Sequence, residues 1–125
     1  MPRRVLLAED EPNIVESLAF LLRRAGFEVS VATDGEAAVE QAATGRPDVV
    51  VLDVMLPGLN GFDVLRRLRA APATATLPVV MLTAKGQRED RETAEACGAD
   101  AFITKPFSNA ELVAAVSRLA EPARQ

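Results

Sequence analysis

Short apolar segments of this chain end at residues that could take part in chemistry. The segment VVVL ends at Asp53, VLLA leads into Glu9 and Asp10, and two later segments end at Thr83 and Lys105. If these segments are parallel strands, their carboxyl ends meet at one edge of the sheet, where open α/β sheets bind ligands. The sequence therefore predicts one site that contains three acids, a hydroxyl group and a lysine.

Three carboxylates at one edge repel one another, and a hard divalent cation with oxygen ligands relieves that repulsion. We expect Mg²⁺ there, with Mn²⁺ as a substitute. Lys105 and Thr83 add a positive charge and a hydroxyl donor that suit an anion. A phosphoryl group bridged to the metal ion meets both demands, because phosphoryl transfer depends mainly on positioning and charge neutralisation. We therefore interpret Asp53 as a nucleophile that forms an aspartyl phosphate.

The composition excludes several other kinds of chemistry. The 125 residues contain no histidine and a single cysteine, Cys97, so neither a Ser-His-Asp triad nor an internal disulfide can form. The net charge of −4 argues against direct nucleic-acid binding by this domain. The first apolar segment is too short for a signal peptide, and no segment has the length of a membrane span. We therefore expect a cytoplasmic protein with no membrane contact.

Strand-like and helix-like patterns alternate along the chain, which predicts right-handed βαβ units and a parallel sheet with helices on both faces. The β-branched segment before Asp53 is typical of a central strand that is buried on both sides. The predicted strands cover residues 4–8, 29–32, 49–52, 79–83 and 101–104.

Capping signals predict where the intervening helices begin and end. Pro12 suits the first turn of the first helix, and Gly26 suits its end. Thr33 and Glu36 match a capping box for the second helix, which Gly45 would terminate.

Asn60 is predicted to cap the third helix, and the SNAE sequence at 108–111 is a second capping box. The fourth helix, from about Arg88 to Cys97, is strongly polar and should be weakly anchored, because its apolar face consists of small residues. That face comprises Ala94, Ala96 and Cys97. The arginines late in the third helix are interpreted as a solvated face: Arg66, Arg67 and Arg69.

In combination, these residues resemble the receiver domains of bacterial response regulators and are similar to the chemotaxis regulator. The resemblance rests on the acidic pair after the first strand, Asp53 with the following MLPGLNG, Thr83-Ala84, and Lys105-Pro106. It covers essentially the whole chain. It implies a doubly wound, flavodoxin-like sheet of five parallel strands in the order 2-1-3-4-5.

We assign residues 1–121 to the receiver domain and 122–125 to a C-terminal tail. The resemblance implies that Asp53 accepts a phosphoryl group from a histidine kinase or a histidine phosphotransfer protein. Lys105 and the backbone amide of Ala84 would contact phosphoryl oxygens. The implied Mg²⁺ ligands are Asp10, Asp53, the backbone carbonyl of Met55, and Glu9, which acts directly or through water.

Members of the family switch by a coupling between a hydroxyl group and an aromatic ring, which corresponds here to Thr83 and Phe102. After phosphorylation, Thr83 would move toward the phosphoryl group and Phe102 would turn into the vacated space. The fourth helix, the fifth strand and the last helix would then form the face that controls a downstream protein or an output domain. Phe102 replaces a frequent tyrosine, so the ring carries no hydroxyl group.

The resemblance also concerns the lifetime of the phosphoryl group. The family tunes dephosphorylation through residues at the positions of Met55 and Lys85. Because the Met55 side chain cannot orient water by hydrogen bonding, we expect slow autodephosphorylation. On this interpretation the protein is not a conventional enzyme, although it catalyses its own phosphorylation from a phosphodonor.

Three alternatives belong to other functional classes. A haloacid-dehalogenase-type phosphatase needs a second acid at the position of Met55, and a flavodoxin-like carrier needs a Ser/Thr/Gly-rich first loop instead of AEDEP. A scaffold that works without phosphorylation is the third alternative.

The sequence does not decide between a stand-alone regulator, a relay member and part of a longer transcription factor. It also does not decide between a monomer and a homodimer that forms on phosphorylation. It likewise leaves the Lys105-Pro106 bond open between cis and trans.

Overall fold

The computed structural model describes residues 3–83 and 88–120, with the side chains of 88–90 outside that description. Strands and helices alternate throughout this part of the chain. The strands are β1 (Arg4–Ala8), β2 (Glu28–Ala32), β3 (Val49–Asp53), β4 (Val79–Thr83) and β5 (Ala101–Thr104). The helices are α1 (Pro12–Arg24), α2 (Gly35–Gly45), α3 (Gly61–Ala70), α4 (Arg88–Cys97) and α5 (Asn109–Ala120).

The strands form one parallel sheet in the order β2-β1-β3-β4-β5, as expected. Strand β3 pairs with β1 on one side and with β4 on the other, and all of its residues are buried. The prediction of a buried central strand that ends at Asp53 is therefore confirmed. The carboxyl ends of β1, β3, β4 and β5 lie along the same edge, which we call the carboxyl edge.

The core consists of two apolar layers, one on each face of the sheet, because successive strand residues point to opposite faces. Leu52 and Met81 pack in the layer under α2, α3 and α4. Val51 and Leu82 pack in the layer under α1 and α5. The prediction of helices on both faces is confirmed.

Most of the predicted helix boundaries agree with the structure. Asn60 caps α3 by accepting a hydrogen bond from the amide of Asp63, and Ser108 accepts one from the amide of Glu111 at the start of α5. Gly26 follows the end of α1 and has a φ of 100°, which favours glycine.

The capping box predicted at Thr33 is wrong. Asp34 caps α2 instead, and its carboxylate accepts a hydrogen bond of 2.8 Å from the amide of Ala37. The helix begins at Gly35, one residue later than a cap at Thr33 would place it, and this residue packs against the β3–α3 loop. Its amide donates to the carbonyl of Pro57, and a Cβ there would lie 2.3 Å from the carbonyl oxygen of Leu59.

The interpretation of Arg69 as part of a solvated face is also wrong, whereas Arg66 and Arg67 are exposed as expected. The Arg69 guanidinium donates to the carbonyls of Gly98, Thr74 and Leu77 and pairs with Asp100 at 3.0 Å. Asp100 in turn accepts from the amide of Val79. Arg69 therefore ties α3 to the segments that lead into β4 and β5.

Helix α4 buries very little apolar surface, as predicted. Ala94 is fully buried and Cys97 is partly buried, but Ala96 is exposed. Within the described residues, no helix has the length and hydropathy needed to cross a membrane.

Candidate functional site

Three charged side chains meet at the carboxyl edge. Nζ of Lys105 lies 3.0 Å from Oδ2 of Asp53 and 3.6 Å from Oε1 of Glu9. The two carboxylates are almost completely buried, and the lysine side chain is 22% exposed. The structure therefore brings Glu9, Asp53 and Lys105 together, although they come from three different strand ends.

Both carboxylate oxygens of Asp53 accept hydrogen bonds. Oδ1 accepts one of 2.9 Å from the amide of Met55, and Oδ2 accepts one from Lys105. The chain can turn back so soon after β3 because Gly61 allows a close approach. A Cβ at Gly61 would lie 2.5 Å from the carbonyl oxygen of Asp53, and the Gly61 amide donates to the carbonyl of Val54.

The backbone amides that follow Glu9 hold one of its carboxylate oxygens in place. Its Oε2 accepts hydrogen bonds of 3.2 Å from the amides of Asp10 and Glu11. Its Oε1 is buried, and no group among the described residues donates a hydrogen bond to it. Burial raises the pKa of Glu9 to about 7, and a hydrogen bond that only its protonated carboxyl can donate to Asp53 adds to this effect.

The pKa of Asp53 shifts in the opposite direction, to a lower value. Burial opposes its ionisation, but hydrogen bonds from Glu9, from the Met55 amide and from Lys105 hold its pKa below the ordinary value. At neutral pH, Asp53 is therefore ionised, and it lies beside the ammonium group of Lys105.

The site suits a cation that has few protein ligands. In the described part of the chain, no three acidic, histidine or cysteine side chains are arranged to hold a metal ion. Asp10, expected as the third acid, is exposed and completes no such group. However, Mg²⁺ usually binds through one or two carboxylates together with water and phosphate. The buried Oε1 of Glu9 receives no hydrogen bond within residues 3–83 and 88–120, and it lies in the same cluster as Asp53, so it fits that requirement.

Thr83 is buried at the carboxyl end of β4, and its carbonyl accepts a hydrogen bond of 2.7 Å from the amide of Lys105. The peptide bond between Lys105 and Pro106 is cis. Phe102 pairs in register with Met81, two residues before Thr83, so Thr83 and Phe102 share the α4-side face of the sheet. Ala84 and Lys85 lie outside the described residues.

Two local features of the site were not predicted from the sequence. One is Gly61, for which the glycine-rich segment after β3 was the available signal. The other is Arg91 of α4, whose guanidinium carbon lies 5.2 Å from the centre of the Phe102 ring. No sequence pattern predicts the pair of Arg91 and Phe102, because the tertiary fold brings the helix and the strand together.

The sequence of this chain matches that of a known class of proteins. A family model described as the response regulator receiver domain matches residues 5–117. The chain belongs to this family, and it is a receiver domain of the two-component response-regulator type.

The similarity extends to curated relatives and to solved structures. The sensory transduction protein RegX3 of Mycobacterium tuberculosis is 45% identical over 112 residues, which cover 90% of this chain and 48% of that protein. The chain thus spans about half the length of the curated relatives it matches.

A putative response regulator from Chloroflexus aurantiacus has a TM-score of 0.92 and 38% identity, with 96% of this chain and 98% of that chain covered. The receiver domain of the sensor histidine kinase PA1611 from Pseudomonas aeruginosa has a TM-score of 0.89 and 32% identity, over 96% and 98% of the two chains. That structure contains a magnesium ion coordinated in its active-site cleft.

Proposed function

We propose that this chain is a phosphorylation-activated switch and that Asp53 is its phosphoryl acceptor. The observation that carries the proposal is the contact of 3.0 Å between Asp53 and Lys105 in a cluster with a second buried acid. An ionised, oriented carboxylate beside a fixed cation is the arrangement required for attack on a phosphorus atom, because phosphoryl transfer depends on positioning and charge neutralisation.

The donor is a phosphohistidine on a histidine kinase or a histidine phosphotransfer protein. A carboxylate oxygen of Asp53 forms the new O–P bond, the N–P bond of the donor breaks, and the histidine nitrogen leaves with the bonding electron pair. Lys105 then exchanges its contact with the carboxylate for one with a phosphoryl oxygen. Thr83 and the backbone amide of Ala84 are the other phosphoryl-binding groups in this proposal.

Glu9, Asp10, Asp53 and the backbone carbonyl of Met55 are the proposed Mg²⁺ ligands, with Mn²⁺ as a substitute. Bound there, the ion supplies positive charge to the phosphoryl oxygens as the negative charge on them increases. Glu9 holds one carboxylate oxygen toward its own backbone amides and leaves Oε1 for the cation.

The output of the switch is a change at α4, β5 and α5. Phosphorylation draws Thr83 toward the new group and lets the Phe102 ring turn into the space that is vacated. Helix α4 is suited to such a change because little apolar area holds it. We propose a downstream protein or an output domain as the recipient. We propose a cytoplasmic location and either a monomer or a homodimer that forms on phosphorylation.

Mass spectrometry after treatment with acetyl phosphate tests the proposal. We expect the wild-type chain to gain one phosphoryl group in the presence of Mg²⁺ and much less in EDTA. Asp53→Asn should gain none, whereas Asp63→Asn, which changes an exposed aspartate on α3, should behave like the wild type. Equal labelling of the Asp53→Asn and wild-type chains contradicts the assignment, and an unlabelled wild type favours the scaffold alternative.

A further inference from the structure

The aromatic residue of the proposed switch makes a contact that the switch mechanism does not use. The guanidinium carbon of Arg91 lies 5.2 Å from the centre of the Phe102 ring. Arg91 itself is exposed on α4, whereas Phe102 is partly buried and packs against the core layer under α2, α3 and α4. One side of the ring therefore contacts the core, and a cation from α4 covers the ring from the surface.

The contact involves the ring whose change of position is part of the proposed switch. Thr83 and Phe102 share the α4-side face of the sheet, on neighbouring strands and separated by two residues along the sheet. The contact of 5.2 Å is made by the ring in its present position. A ring that turns toward Thr83 leaves this position, so the contact favours the ring where it now lies.

We propose that Arg91 is a positioning residue that holds the Phe102 ring in its unphosphorylated position and thereby makes activation harder. This inference rests on the proposed function, because it assumes the movement of Phe102. Arg91 touches neither Asp53 nor a phosphoryl group. It acts only through the ring, by stabilising one of two ring positions.

The size of the effect follows from the strength of such contacts. A cation over an aromatic ring at an exposed site stabilises one conformation by an amount equivalent to about a two- to fivefold change in an equilibrium constant. When the activated conformation is the minor one, loss of the contact raises its population by the same factor. We therefore expect Arg91→Gln to be labelled by acetyl phosphate about two- to fivefold faster than the wild type.

The chain contains a matched control. Arg24 lies over the ring of Phe20 at 5.7 Å, at the C-terminal end of α1 and thus at the opposite end of the sheet from Asp53. Arg24→Gln removes the same charge and the same type of contact, and its labelling rate should equal that of the wild type. Arg91→Lys retains a cation and should restore most of the wild-type rate.

A second measurement reports the ring position directly. In protein labelled with fluorophenylalanine, the Phe102 signal is assigned by its loss in Phe102→Leu. We expect Arg91→Gln, without phosphate, to shift this signal toward its position in the phosphorylated wild type, and we expect Arg24→Gln to leave it unchanged. A general loss of packing would instead shift the signals of all five phenylalanines.

The outcomes separate the two claims. If the wild type is labelled and Arg91→Gln matches it in both rate and Phe102 signal, the inference about Arg91 is wrong. If no variant is labelled but the Phe102 signal of unphosphorylated Arg91→Gln still moves, the ring contact is supported and the proposed phosphoryl acceptor is wrong.

Discussion

Lys105 donates a hydrogen bond of 3.0 Å to Asp53, although the two residues are 52 positions apart in the sequence. The contact depends on the parallel sheet, since β3 and β5 are separated by β4 and deliver their carboxyl ends to one edge. Glu9 joins the same cluster, since its Oε1 lies 3.6 Å from Nζ of Lys105.

Replacement of Lys105 by glutamine should slow the labelling of Asp53 by acetyl phosphate by about 100-fold, because one charged donor to the reacting group is lost. The rate is measured by intact-mass spectrometry over time. Arg66→Gln is the control, since it removes an exposed cation that pairs with Asp63 at 3.0 Å. Similar rates for the two variants would show that the contact between Lys105 and Asp53 does not assist transfer.

The stability of the metal-free domain should fall as the pH rises from about 4.5 to 7. In this range the unfolded chain has released the Glu9 proton, while burial in the folded state raises the pKa of Glu9 to about 7. The folded state therefore binds more protons, and its free energy of unfolding decreases as the pH rises. The upper limit of the loss is roughly 3 kcal/mol, from the two pKa values and about 1.36 kcal/mol per unit.

The contribution of Asp53 to the free energy of unfolding changes with pH in the opposite direction and in a more acidic range. Its folded-state pKa is below the ordinary aspartate value of 3.8, so its stabilisation is present above that pH and is lost in stronger acid. Urea titrations in EDTA at several pH values measure the effect. Glu9→Gln should flatten the profile between pH 4.5 and 7, and the exposed Glu36→Gln should not. A constant difference between Glu9→Gln and the wild type across this range would contradict the assigned pKa.

Gly61→Ala should destabilise the domain by about 2 kcal/mol or more and reduce the labelling of Asp53, because the new Cβ meets backbone atoms that cannot move aside easily. The nearest are the Asp53 carbonyl oxygen at 2.5 Å and the Val54 Cα at 2.8 Å. Gly45→Ala is the control, since no atom lies within 4 Å of its added Cβ. That substitution should leave stability unchanged or raise it slightly. Equal unfolding midpoints for the two variants would disprove the steric argument.

Arg69→Met should lower the free energy of unfolding by about 2–4 kcal/mol, because carbonyls of three residues and the Asp100 carboxylate lose a charged donor. Arg67→Met, which removes an exposed ion pair of 3.5 Å with Glu36, should cost less than about 1 kcal/mol. Chemical denaturation of both variants compares them. A cost for Arg69→Met no greater than that for Arg67→Met would restore the solvated-face interpretation.

The phosphoryl group on Asp53 should be long-lived in Mg²⁺ buffer, and Met55→Gln should shorten its lifetime. The Met55 side chain is 73% exposed and carries no group that can orient an attacking water, whereas an amide can both donate to and accept from water. Decay of the phosphoryl mass after removal of acetyl phosphate measures the lifetime, and Met55→Leu serves as the apolar control. A wild-type half-life of seconds, or equal decay of the glutamine and leucine variants, would contradict this prediction.

The sequence by itself determined the order and kind of the elements. Apolar segments of strand length alternate with capped helical patterns, and β3 and α4 have the predicted character because composition alone decides whether a segment can be buried. It also identified Asp53, Glu9 and Lys105 as members of one site, since parallel strands share an edge. Capping residues and the spacing of apolar residues along the chain are enough to predict these features.

Only the tertiary structure decided how distant residues pair. The capping box predicted at Thr33 does not form; Asp34 caps α2 instead, next to Gly35, which packs on the β3–α3 loop. The sequence does not distinguish Arg69 from its exposed neighbours, because the carbonyls to which its guanidinium group donates belong to other segments of the chain. The shift in the pKa of Glu9 likewise arises from burial beside Asp53. Such effects depend on distances between residues far apart in the chain, and a one-dimensional pattern does not contain those distances.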